Sequence, residues 1–229
     1  MSSTAASDDR DPIRFFFDYL SPYAYIAWTQ IHALAERHGR AVAPHPVLFA
    51  ALLGEHGQKG PAEIPAKRLY VFKDAYRKAH RFGLPPLTPP PTHPFNPLLA
   101  LRVSALPTDA LAKRRLIDAF FAATWAGGGG IDSPAKVASI AASVGFDGDA
   151  LVAQASTEEA KARLRAATEE ALGAGAFGVP SMVVGGELFW GVDSLPLLDD
   201  FLAGRDPLTP EELFRWVGVV PSATRRELR

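Results

Sequence analysis

The sequence predicts an α/β fold: a small mixed sheet with helices on its faces, opened in the middle by a long helical block. Three observations predict it. Ile13-Arg14-Phe15-Phe16-Phe17 is an apolar, aromatic run of strand length. A helical pattern opens at Ser21-Pro22 directly after it, and an extended stretch follows at 41–47. Far along the chain, two short strand-like runs flank Gly185-Gly186, a two-residue hairpin turn.

The elements follow in order. The first strand is aromatic because a strand buried on both faces needs apolar side chains at successive positions. Asp18-Tyr19-Leu20 is a turn. Ser21 is a favoured N-cap, Pro22 suits the first helical position, and Gly39 falls just past the expected end. Tyr25, Ile26, Trp28, Ile31 and Leu34 give that helix a buried stripe. Residues 41–47 carry prolines at irregular points, which puts this strand near a sheet edge. A strand–helix–strand unit of this length implies a parallel pair with a right-handed crossover.

From about residue 50 to 172 the pattern is helical. Helices are expected over 67–82, 96–106, 109–125, 133–144, 147–154 and 157–172, with a proline-rich loop at 85–97 and a glycine turn at 127–130. Strands at 180–184 and 187–190 form the hairpin, and 194–202 is read as the final helix. The order β-α-β, helical block, β-β-α is the plan of a thioredoxin-like fold with a large all-helical insertion. The expected divisions are a disordered leader over 1–12, a thioredoxin-like part made of 13–48 and 173–204, the insertion over 49–172, and a polar C-terminal tail over 205–229. That tail carries one apolar patch, Leu213, Phe214, Trp216 and Val217.

The chain has 229 residues, 48% hydrophobic and 21% charged, enough for a real core. Its net charge of -1 argues against a general nucleic-acid binder. There is no cysteine, which removes disulfides, thiolate metal sites, a cysteine nucleophile and a C-x-x-C couple. No apolar run approaches membrane-spanning length, and the polar, acidic N-terminus is not a signal peptide, so a cytoplasmic location is expected.

Several motifs lose their weight in context. Gly173-Ala174-Gly175-Ala176-Phe177-Gly178 matches G-x-G-x-x-G but follows a helix and precedes a strand, so it reads as a helix terminator. The histidines, His32, His38, His45, His56, His80 and His93, form neither H-x-x-x-H nor H-E-x-x-H, and no metal is expected. G-x-S-x-G is absent, which argues against a serine hydrolase. Ser21 stands out: a helix N-cap after a buried parallel strand lies at the carboxyl end of the sheet, where ligands of open α/β sheets bind. The free N–H groups of that helix end favour an anion. Gly178-Val179-Pro180-Ser181 is the second informative segment, with a proline placed just before a strand.

Four segments in this order are specific: Phe17-Asp18-Tyr19-Leu20-Ser21-Pro22-Tyr23-Ala24-Tyr25, Pro65-Ala66-Lys67-Arg68-Leu69-Tyr70, Phe177-Gly178-Val179-Pro180-Ser181, and Phe189-Trp190-Gly191-Val192-Asp193. From about residue 13 to 203 the chain closely resembles the 2-hydroxychromene-2-carboxylate isomerase family, relatives of the kappa-class glutathione transferases and DsbA-like oxidoreductases. The resemblance implies glutathione as cofactor. Ser21 would face its sulfur, Val179 before a cis Pro180 would pair with its cysteinyl backbone, and Trp190, Gly191, Val192 and Asp193 would hold its γ-glutamyl end. It further implies a small aromatic carboxylate substrate met by Lys67 and Asn96, and a homodimer. The local alternatives are a solvated lysine for Lys67, a helix cap for Asn96 and a core residue for Trp190. Family members commonly carry an amide and an arginine where this chain has Val192 and Ser194. A kappa-like glutathione transferase or peroxidase, and a non-catalytic thioredoxin-fold binding protein, are the alternative functions.

Overall fold

The computed structural model describes residues 11–223. Four strands form one sheet: β1 (Ile13–Phe17), β2 (Val42–Pro46), β3 (Ser181–Val184) and β4 (Glu187–Trp190), in the order β2-β1-β3-β4. β1 runs parallel to β2, with Phe16 opposite His45, and antiparallel to β3, with Phe15 opposite Met182. β3 and β4 pair as the expected hairpin, with Gly185 and Gly186 at φ +60° and +84°, values that a side chain would disfavour. β2 is an edge strand, where Pro44 and Pro46 need not donate to a further neighbour.

Pleating divides the β1 aromatics. Phe15 and Phe17 enter the larger core with Trp28 and Phe121, while Phe16 turns to a smaller one with Val47, Leu52, Val179 and Val183. Each such side chain contributes about 1.5–3 kcal/mol by leaving water. Helix α1 (Pro22–Arg37) crosses between the parallel strands, and its Trp28 donates from Nε1 to Asp118 Oδ1 at 2.6 Å.

The insertion holds α2 (Phe49–Glu55), α3 (Pro65–Arg81), α4 (Leu98–Ala105), α5 (Ala110–Trp125), α6 (Pro134–Ser143), α7 (Gly148–Ala155) and α8 (Glu158–Gly173). Asp109, Ser133, Asp147 and Thr157 each cap the helix they precede, which explains why these boundaries were legible. Phe121 of α5 lies 5.5 Å from the Phe17 ring and 4.8 Å from the Tyr19 ring, so insertion and sheet share one core.

After β4 a single 3-10 turn at 192–194 leads into α9 (Leu195–Leu202). α9 is not the final helix. The tail forms α10 (Pro210–Val217), capped by Thr209, whose Oγ1 accepts from Glu212 N at 3.2 Å. Apart from Asp11 and Pro12, the leader expected over 1–12 lies outside the described residues, as do residues 224–229.

Candidate functional site

Residues 18–21 join the carboxyl end of β1 to α1, and each of the first three is held by a different partner. Asp18 is fully buried; its Oδ1 accepts from Leu20 N and its Oδ2 from Phe49 N, both at 3.0 Å. Burial pushes the Asp18 carboxyl up to about 6, against the pull of those two N–H groups. Tyr19 O accepts from Trp125 Nε1 at 2.9 Å, and the Tyr19 hydroxyl meets Ser104 Oγ at 2.6 Å. Leu20 O lies 2.9 Å from His93 Nε2. A carbonyl only accepts, so the ring carries its proton on Nε2. His93 Nδ1 is buried with no partner among the described residues, and burial holds the ring's pKa below its usual value.

Ser21 follows this fixed turn and is only 7% exposed. Its Oγ accepts from Ala24 N at 3.1 Å, capping α1, and donates to Val179 O at 3.3 Å. The Val179–Pro180 peptide is cis. Gly191 N donates to Pro180 O at 2.9 Å, which ties the segment after β4 to the same loop. Trp190 is half exposed with its ring 5.0 Å from Phe177. Gly178 has to be glycine for that arrangement, because a Cβ there would stand 2.5 Å from Trp190 Nε1.

Asp193 projects outward, with its side chain 73% exposed and Oδ2 3.2 Å from Lys78 Nζ of α3. Lys78 also reaches Asp74 Oδ2 at 2.6 Å, the same oxygen to which the Tyr23 hydroxyl donates at 2.7 Å. Burial alone would lower the Lys78 pKa, but its two carboxylates outweigh that and hold it above the usual lysine value. This chain of contacts runs from the first turn of α1 through α3 to the turn after β4.

The structure therefore brings Ser21, Val179, Pro180, Trp190, Gly191 and Asp193 to one end of the sheet. Val192 is adjacent in the chain, but its side chain is 1% exposed and packs in the core. Its side chain therefore faces the core, and what Val192 turns towards the surface is its main chain. Lys67 is exposed in the first turn of α3, about 16 Å along the helix from Lys78 at 1.5 Å per residue. Asn96 is exposed, and its Oδ1 accepts from Leu98 N at 3.0 Å, the helix-capping reading. The hydrogen bonds of the Ser21 hydroxyl run to Val179 and Ala24, not to Lys67 or Asn96. The residues that sequence reasoning missed are Asp18, His93, Trp125 and the Tyr23-Asp74-Lys78 set. Asp18 alone carried a signal: a carboxylate set in an apolar stretch must find donors.

Chemically, the arrangement offers one hydroxyl donor beside a helix N-terminus, suited to a negative charge and lacking any protein thiol. Among the described residues no group of three or more His, Asp and Glu is placed to hold a metal, and no helix is long and apolar enough to cross a membrane.

A small mixed sheet with a cis-proline loop facing the N-terminus of α1 defines a thioredoxin-class fold. The chain belongs to the DSBA-like thioredoxin domain family, whose description matches residues 12–203. It is 28% identical over 189 residues to a 2-hydroxychromene-2-carboxylate isomerase of Pseudomonas putida, covering 82% of this chain and 92% of that protein. It is 29% identical over 212 residues to glutathione S-transferase kappa 2 of Caenorhabditis elegans, covering 85% and 93%. Among solved structures, a 2-hydroxychromene-2-carboxylate isomerase superposes with a TM-score of 0.77 at 25% identity, covering 84% of this chain and 94% of that one.

Proposed function

We propose that this chain is a glutathione-dependent isomerase of 2-hydroxychromene-2-carboxylate-type intermediates of aromatic ring cleavage. One observation carries the reading: the Ser21 hydroxyl sits in the first turn of α1 against the carbonyl before cis Pro180, in a chain with no cysteine. The names of the relatives support the same chemistry.

The residues suit a thiol-bearing tripeptide. The exposed Asp193 carboxylate fits an ammonium group, and Val179 offers main-chain groups beside Ser21. Glutathione would be held by Ser21, the main chain of Val179 and Asp193, and would supply there a nucleophilic thiolate for reversible addition to the conjugated system of the ring-opened substrate, regenerated when the double bond re-forms. The work of the chain is to make that thiolate. A free thiol of pKa near 8.5 is roughly 3% ionised at pH 7. A hydroxyl donating to the anion is worth about 1.5–3 kcal/mol, and the helix end adds about 0.3–1 kcal/mol. At 1.36 kcal/mol per pH unit, the bound thiol's pKa falls by about 1–3. Ser21 has one proton to give, so it must turn from Val179 O, at 3.3 Å a long bond, towards the sulfur. Ala24 N goes on donating to Oγ and keeps the hydroxyl polarised.

The same reading places the enzyme in the cytoplasm with a small aromatic carboxylate as substrate. Lys67 is the candidate partner of its carboxylate, and Asn96 is the second candidate, on the resemblance alone. A kappa-like transferase is the second reading, favoured by the 29% identical kappa relative; it uses the same thiolate but joins the sulfur to an electrophile. Calorimetry with glutathione, ultraviolet absorbance of the bound thiolate across pH and turnover of 2-hydroxychromene-2-carboxylate test the reading. The expected result is binding with a thiol pKa well below 8.5, and turnover that Ser21→Ala abolishes. No binding at millimolar glutathione, or full turnover by Ser21→Ala, refutes it. Binding without isomerisation leaves the transferase reading.

A further inference from the structure

We propose that Lys78 of α3 is a specificity-determining residue of this site: with Asp193 it forms a receptor for an amino-acid zwitterion, taking the carboxylate of the ligand's γ-glutamyl end while Asp193 takes its ammonium. The inference rests on the glutathione reading above and adds a partner for a charge which that reading leaves unmatched.

Two short tethers place the pair beside the reactive turn. Tyr23, two residues after Ser21, donates its hydroxyl to Asp74 Oδ2 at 2.7 Å, and Lys78 Nζ lies 5.0 Å from the centre of the Tyr23 ring. Gly191 N donates to Pro180 O at 2.9 Å, and Asp193 stands two residues further on. The buried Val192 side chain anchors the turn that presents it. The ion pair therefore bridges the segment after Ser21 to the segment tied to the cis-proline loop.

Each partner has a position to spare. An ammonium carries three N–H donors. Lys78 spends one on Asp74 Oδ2 at 2.6 Å and one on Asp193 Oδ2 at 3.2 Å, which leaves the third. Asp193 has no other side-chain partner among the described residues, so its Oδ1 is available. The two side chains are 23% and 73% exposed, open to a ligand from outside. Asp74 fixes Nζ before any ligand arrives, so little order remains to be imposed on binding.

A spare donor beside a spare carboxylate oxygen complements an ammonium and a carboxylate carried on one carbon. A plain amine leaves the third Lys78 proton unused. A plain carboxylate meets one cation flanked by two carboxylates, Asp74 and Asp193, and is repelled by their excess charge.

Calorimetry of the full chain with three probes tests this: glutathione, glutathione with its glutamyl carboxylate converted to a carboxamide, and glutathione acetylated on its glutamyl nitrogen. The wild type should bind glutathione about tenfold or more tightly than either derivative, the scale of a charge-assisted hydrogen bond. Lys78→Met should weaken glutathione by about fivefold or more and no longer distinguish it from the carboxamide. Lys78→Arg should keep that discrimination, and Asp193→Asn should lose it for the acetylated form. Comparing ligands on the same protein keeps the test valid where a variant is less stable. A wild type that binds glutathione and its carboxamide equally overturns the role of Lys78 and leaves the glutathione reading standing. So does Lys78→Met that weakens both alike, since that marks Lys78 as support for α3 only, and so does Asp193→Asn that still rejects the acetylated form. No binding of glutathione at millimolar concentration overturns the inference and the glutathione reading together.

Discussion

Asp18 makes a quantitative prediction, because its two carboxylate oxygens each take one backbone N–H inside a fully buried turn. Burial lifts its folded-state pKa from 3.8 to about 6. The folded chain therefore holds this proton more tightly than the unfolded chain does. Stability owed to the carboxyl is complete below about pH 3.8 and is lost as pH rises through about 6. At 1.36 kcal/mol per pH unit, the loss is about 3 kcal/mol. Asp18→Asn keeps the shape but cannot titrate. It also replaces one acceptor with an NH2 group, leaving either Leu20 N or Phe49 N without an acceptor, a constant cost of about 1–3 kcal/mol. Urea unfolding of both proteins from pH 4 to pH 8 separates the two effects. The wild-type advantage over Asp18→Asn should shrink by about 2–2.5 kcal/mol across pH 4 to 7, the rest of the loss lying below pH 4, and then level off. Titrating groups elsewhere cancel in this difference. Parallel pH profiles for the two proteins would refute the argument that burial governs this carboxyl.

Other perturbations have defined outcomes. Trp125→Phe keeps a buried ring but removes the donor to Tyr19 O; urea unfolding should show a loss of about 1–3 kcal/mol, and a change below about 0.5 kcal/mol would mean that another donor takes its place. Gly178→Ala forces the half-exposed Trp190 ring outward rather than breaking the backbone, so stability should fall by only about 1 kcal/mol while the environment of Trp190 changes. An unaltered tryptophan emission spectrum would count against that contact. Ser21→Ala should cost about 1 kcal/mol, the value of a lost N-cap, alongside the loss of turnover expected above; unfolding in urea measures it.

The parts of the fold written in local chemistry were legible. The Phe15-Phe16-Phe17 run, the Ser21-Pro22 start and the Gly185-Gly186 turn each act through neighbours in the chain. The α10 start was also legible, since Thr209-Pro210 followed by Glu212 is a capping pattern, but the polar composition of the tail hid it. The supports of Ser21 were not legible. Trp125 and His93 reach the turn from 106 and 73 residues away, and nothing next to them in sequence specifies a carbonyl as partner. Val192 shows the converse limit: its place in a motif suggested a ligand contact, while packing turned its side chain into the core.

The turn before Ser21 does not own its rigidity. Two of its carbonyls are gripped by α5 and by the proline-rich loop, both of which belong to the helical block rather than to the sheet. Opening the block by a local fluctuation would release Tyr19 and Leu20 while all four strands stayed paired. The Ser21 amide, bonded to Asp18 O at 3.1 Å, should then exchange its hydrogen with the slow helices of the block and not with β1. The helical block thus acts as a clamp on the reactive turn as well as a cover for the sheet.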